Sequence, residues 1–148
     1  MAVTDEHVAF LRSYLRGDEE AVTRSWERIE SRAGLAALVH AAFVISARQK
    51  FAPTWTRADA IRYVANVRAL LSERLDVLDP RAAEQELRLA LGDKAESGHS
   101  AASAAAAQLI MLNALLVSLD LDEVAVDDLL RQAREVAERI LAGQPSPD

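Results

Sequence analysis

Cysteine is absent from the 148-residue sequence, which removes disulfides, thiolate zinc sites and cysteine nucleophiles at once. Lysine is nearly absent: Lys50 and Lys94 stand against 15 arginines, a bias of high-GC bacterial genomes that carries no mechanism. Glycine occurs five times, in neither a Gly-x-Ser-x-Gly nor a phosphate-cradling pattern. Histidine occurs three times, at His7, His40 and His99, with no shared helical spacing. Di-iron bundles need two Glu-x-x-His units. Glu96 and His99 form the single such pair, in a glycine-containing stretch. The sequence therefore nominates no catalytic residue, no metal ligand and no cofactor.

What is present is helix-forming. Alanine dominates, followed by Leu, Glu and Arg, and strand formers are few. The net charge of −6 argues against nucleic-acid binding, which needs a basic surface. The arginines of the fourth helix scatter around its cylinder and make no recognition stripe. Charge is uneven along the chain, at −2 over residues 1–33, +3 over 34–76 and −7 over 77–148. The first residues have no basic n-region and no apolar h-region, so the expectation is a cytoplasmic chain. Ser100 to Leu119 is charge-free, but its strongly apolar part begins only at Leu109. That part is too short for a bilayer, so a buried core helix is expected and no membrane.

Capping signals divide the chain. Thr4 and Asp18 start the first two helices, with Gly17 between them. Gly34 is expected to break the chain before a third helix, Leu35 to about Phe51. Thr56 and Asp59 form a capping-box pattern that opens a fourth helix to about Asp76. Asp79 and Pro80 open a fifth, ending at Gly92. A sixth spans Ala101 to Leu119. The last turns Leu129, Leu130, Ala133, Val136, Ala137 and Ile140 inward. The expected fold is all-α, about five to seven helices around two apolar central ones, 35–51 and 101–119. Residues 1–143 make one domain in this reading, and 144–148 a frayed tail.

Polar residues at apolar positions are the candidate binding groups. Arg68 falls in the arc of Ile61, Val64, Leu71 and Leu75 on the fourth helix. Ser46 and Gln49 fall on the Leu35, Leu38, Ala42 and Ile45 face of the third, and Asn113 between Leu109 and Val117 on the sixth. A buried arginine needs an anion or several acceptors. Either an internal network supplies them, or Arg68, Gln49 and Asn113 line a pocket for a small polar or anionic ligand. Trp55 precedes the Thr56 cap and suits a hydrophobic staple or the core. Alternatively, Phe51, Trp55 and Tyr63 beside Arg48 and Arg62 have the composition of an interaction hot spot.

The stretch Phe51 to Arg68 (FAPTWTRADAIRYVANVR), with DPRAAE from Asp79 to Glu84 and ALG from Ala90 to Gly92, resembles small uncharacterised actinobacterial all-helical proteins. The resemblance covers roughly residues 35–92. It implies a bacterial, cytoplasmic, all-helical chain and brings no activity with it. The leading functional expectation is a non-enzymatic interaction module, a homodimer or a binder of a protein partner.

Overall fold

The computed structural model describes residues 3–71, 78–93, 98 and 100–143. The fold is all-α, with seven helices and no strand among these residues: α1 (Asp5–Arg16), α2 (Glu19–Arg28), α3 (Arg32–Lys50), α4 (Arg57–Leu70), α5 (Pro80–Ala90), α6 (Ala101–Ser118) and α7 (Glu123–Leu141). Side-chain caps start most of them. Thr4, Asp18, Thr56, Asp79, Ser100 and Asp122 each accept a backbone N–H of the following turn. Gly17 ends α1 in the left-handed region, φ 73°, where a side chain would be strained.

Two boundaries differ from expectation. α3 begins at Arg32 and carries Gly34, buried, inside its first turn. A helical glycine costs about 1 kcal/mol, less than burying Leu35, Leu38 and Val39 on the same helix contributes. α4 stops at Leu70, where the Leu71 N–H turns to the Arg68 carbonyl at 3.1 Å and tightens the last turn. Leu75, Asp76, Glu96, His99 and the tail 144–148 lie outside the described residues.

The chain divides into two compact units, Met1–Ala42 with Leu121–Asp148, and Phe43–Asp120. In the first, α1 packs against both α2 and α7. Leu11, Leu38, Leu130 and Ala133 are fully enclosed, and Val136 and Ile140 are half-buried. Phe10 meets Trp26 at a centroid distance of 5.5 Å, and the Arg32 guanidinium lies 5.0 Å from the Trp26 ring. Arginines tie α1 to α7: Arg12 to Asp127 at 2.8 Å, and Arg134 to Asp5 at 2.7 Å and to the Val3 carbonyl at 2.9 Å.

Among the described residues of this unit, His7 is the buried polar one, 1% exposed. Its Nδ1 lies 3.0 Å from the Thr4 backbone nitrogen and its Nε2 2.7 Å from the Ser31 carbonyl. A backbone N–H can only donate, so Nδ1 accepts, and Nε2 carries the ring proton and donates to Ser31. His7 thus completes the α1 capping box and holds the turn before α3.

In the second unit, α5 packs against both α4 and α6. The core joins Phe43 and Ala47 of α3, Ala60, Val64 and Val67 of α4, and Leu78. Ala82, Ala83, Leu87 and Ala90 of α5 and Ala107, Met111 and Leu115 of α6 complete it. α6 is uncharged all round but buries one side, that of Gln108, Met111, Leu112, Leu115 and Leu116. Ala102, Ala105, Ala106, Asn113 and Val117 are exposed. By length and composition α6 is the one helix among the described residues able to cross a membrane, 18 residues at mean hydropathy 1.7. Its Met111 and Leu115 side, however, fills the core of this unit.

Two predictions follow from the caps. His7→Ala should lower the unfolding free energy by about 2 kcal/mol, because it removes the acceptor of the Thr4 N–H and the donor to the half-buried Ser31 carbonyl. His7→Gln, with one acceptor and one donor, should recover part of this loss. Urea titration of the three proteins checks both points. Asp59 is held below its ordinary 3.8 by the Thr56 backbone N–H first and the Thr56 side chain second, with a smaller pull from Arg62. A depressed folded-state value means stability that is present above the unfolded value and lost as pH falls. Wild type should therefore melt above Asp59→Ala at neutral pH, and the gap should close as pH drops below 3.8.

Candidate functional site

The structure does not bring Arg68, Gln49 and Asn113 into one pocket. Gln49 and Asn113 are exposed and Arg68 is half-buried. The cause is helix rotation. The buried stripe of α4 runs through Ala60, Val64 and Val67, and Ile61 is 44% exposed. Arg68 follows Val67 by one residue, about 100° around the helix, and so lies at the edge of the core. On α3 the buried polar residue is Ser46, whose hydroxyl donates to the Phe43 carbonyl at 3.2 Å. On α6 Asn113 and Val117 turn outward, Val117 being 74% exposed, while Leu109 is half-buried. The Arg68 Nε is nonetheless enclosed and has no hydrogen-bond partner.

The aromatic group is partly structural. Phe51, Trp55 and Tyr63 are half-buried and pack against the core of the second unit, with Phe51 and Tyr63 edge to face at 5.3 Å. The Tyr63 hydroxyl lies 3.3 Å from that of Ser118, which joins α4 to the end of α6. Burial pushes the Tyr63 phenol up, and the Ser118 bond opposes that shift. Arg48 donates through Nε to the Ala90 carbonyl at 3.0 Å, placing a cation at the C-terminal end of α5. Arg62 remains largely in solvent near Asp59.

A polar cavity of about 530 Å³ opens elsewhere in the second unit, between the start of α4 and the outer face of α5. Arg57, the first residue of α4, contributes one wall. Arg81, Glu84 and Arg88 contribute another, spaced to share one face of α5 while Ala83, Leu87 and Ala90 bury the opposite face. Asp79 caps α5 by accepting the Arg81 N–H at 2.9 Å and the Ala82 N–H at 3.5 Å. Asp93 takes Arg88 at 2.7 Å, and Gly98 donates its N–H to Gln85 Oε1 at 3.4 Å. The cavity escapes a search for polar residues in apolar arcs, because its members lie on polar faces. The available signal was an arginine in the first turn of α5, where α1, α2, α4 and α7 place acids. Among the described residues no group of three or more His, Asp or Glu is gathered as a metal site would require.

No family model matches the chain, and neither a curated protein nor a solved structure is significantly similar to it.

The half-buried Arg68 generates a test. Its Nε is an enclosed donor without an acceptor, which costs stability in the folded state. Arg68→Met keeps the aliphatic stem and removes that donor, so the unfolding free energy should stay within about 0.5 kcal/mol of wild type or rise. Equilibrium urea unfolding decides this. A loss of about 3 kcal/mol or more would mean that Arg68 holds a buried ion pair.

Proposed function

We propose that the chain is a non-enzymatic helical interaction module that pairs with a second copy of itself along α6. The supporting observation is the side of α6 that the fold leaves uncovered. Ala102, Ala106, Asn113 and Val117 are exposed at helical spacing without a charge, beside a half-buried Leu109, and Val117 is 74% exposed. A helix of 18 residues is about 27 Å long, so the stripe is longer than isolated surface apolar residues make.

The chemistry of the stripe favours a second copy over other occupants. A two-fold contact places the same surface against itself, and any charge on it would meet its like. This stripe has none, on a chain of net charge −6. Its alanines let two helix backbones approach closely. Its one polar side chain, Asn113, carries both a donor and an acceptor, so two copies satisfy each other across the axis. Insertion into a bilayer would instead pull Met111 and Leu115 from the core and leave Gln108 and Asn113 in hydrocarbon.

Sedimentation equilibrium at tens of micromolar should give the mass of a dimer for the wild type. Val117→Glu should be monomeric, because it sets two carboxylates against each other, and should keep the wild-type circular dichroism since the position is exposed. A wild type that stays monomeric sinks the reading.

A further inference from the structure

Among the described residues of the first unit, His7 is the titratable group withdrawn from solvent, and both of its ring nitrogens are engaged. The Thr4 N–H donates to Nδ1 at 3.0 Å, and Nε2 donates to the Ser31 carbonyl at 2.7 Å. Only the neutral ring with its proton on Nε2 makes both bonds. A second proton would sit on Nδ1 and face the Thr4 N–H, donor against donor. His7 also stands third in α1, in the first turn, where a cation is disfavoured by the helix dipole. We propose that His7 is an acid-released latch: it ties the start of α1 to the turn before α3 while its ring is neutral, and mild acid frees both.

No acid stands ready to hold a protonated ring. Both ring bonds of His7 go to backbone groups, and among the described residues it has no ion pair. On α1, Glu6 lies about 100° around the helix from His7. Asp5 is exposed and taken by Arg134 at 2.7 Å, and Arg12, Tyr14 and Arg16 follow farther along. Every charged residue of α2, from Glu19 to Arg28, is exposed. So are Glu30 in the turn and Arg32 at the start of α3, whose His40 is half-buried. Among the charged residues of α7 only Arg134 is not exposed, and it is a cation. The Arg12–Asp127 and Arg134–Asp5 pairs tie α1 to α7 rather than to the turn that His7 holds.

Release takes up a proton. The freed ring binds one at the ordinary histidine value, about 6.5, and the latched ring does not. Stability is therefore complete above that value and is lost as pH falls below it. Amide hydrogen exchange of the full chain between pH 7 and 5, corrected for intrinsic rates, reads the opening constant. Opening at Val8, Phe10 and Leu11 should rise roughly tenfold from about pH 6 to 5, the slope of one proton, while Met111 and Leu115 of the second unit stay level. His7→Gln keeps an acceptor and a donor but cannot titrate, so it should show no such rise, and His40→Gln should keep it. Nitrogen-15 signals of the wild-type ring should show a proton on Nε2 and a bare Nδ1 at every pH where α1 stays closed. The proposal fails if His7→Gln responds to acid as the wild type does, or if the His7 ring gains a second proton while α1 stays protected. Should His7→Gln not fold, the ring signals decide by themselves.

Discussion

Close approach of helices through alanine is the constraint on which the second unit depends. Ala47, Ala60, Ala82, Ala83, Ala90 and Ala107 are almost wholly enclosed there, one or more from each of its helices. A methyl group holds neighbouring axes near the short end of the roughly 8–10 Å packing range. The few large side chains, Phe43, Leu87, Met111 and Leu115, then fill the spaces that remain. Such packing tolerates little added volume, since extra methylenes in a dense interior force rotamers and backbone to shift. It also determines how α6 is used. A helix that is apolar on every side can lie against only as many neighbours as the unit supplies, and here one side is left to solvent.

The first unit is held differently. Its helix α2 buries no residue fully. Aromatic contact and polar links do more of the joining. Trp26 leans on Phe10, His7 spans from the start of α1 to Ser31, and arginines cross from α1 to α7 and back. Exposed ion pairs of this kind are each worth little. The His7 bonds are shielded from water and weigh more.

The helices were legible in the sequence because their ends are marked by chemistry that acts over a few residues. Thr4, Asp18, Thr56 and Asp79 cap where the sequence places them, and Ser100 and Asp122, not expected as caps, do so for α6 and α7. The inward face of α7 was legible as well, since acids and arginines mark its outer side and leave Leu129, Leu130, Ala133 and Ala137 for the core. Helix rotation was not legible where that contrast fails. α6 has no charged residue to mark the outside, so Asn113 read as an interior residue. On α4 the alanines blur the arc, and the true stripe runs through Ala60 and Val67 instead of Ile61. The cavity was invisible for another reason: residues far apart in sequence form it, and Arg57 and Arg81 become neighbours only when α4 packs against α5.

The division of the chain inside α3 bears on the order in which the protein is made. The second unit is one continuous stretch, Phe43–Asp120, and every partner it needs has been synthesised once α6 is complete. The first unit needs both ends of the chain, because α1 docks on α7 through Arg12, Arg134 and their acids. On a ribosome, α1 and α2 emerge first yet wait for the last helix. Vectorial synthesis thus lets the internal unit consolidate before the unit that holds the N-terminal helices, reversing the N-terminal-first order common in multidomain chains.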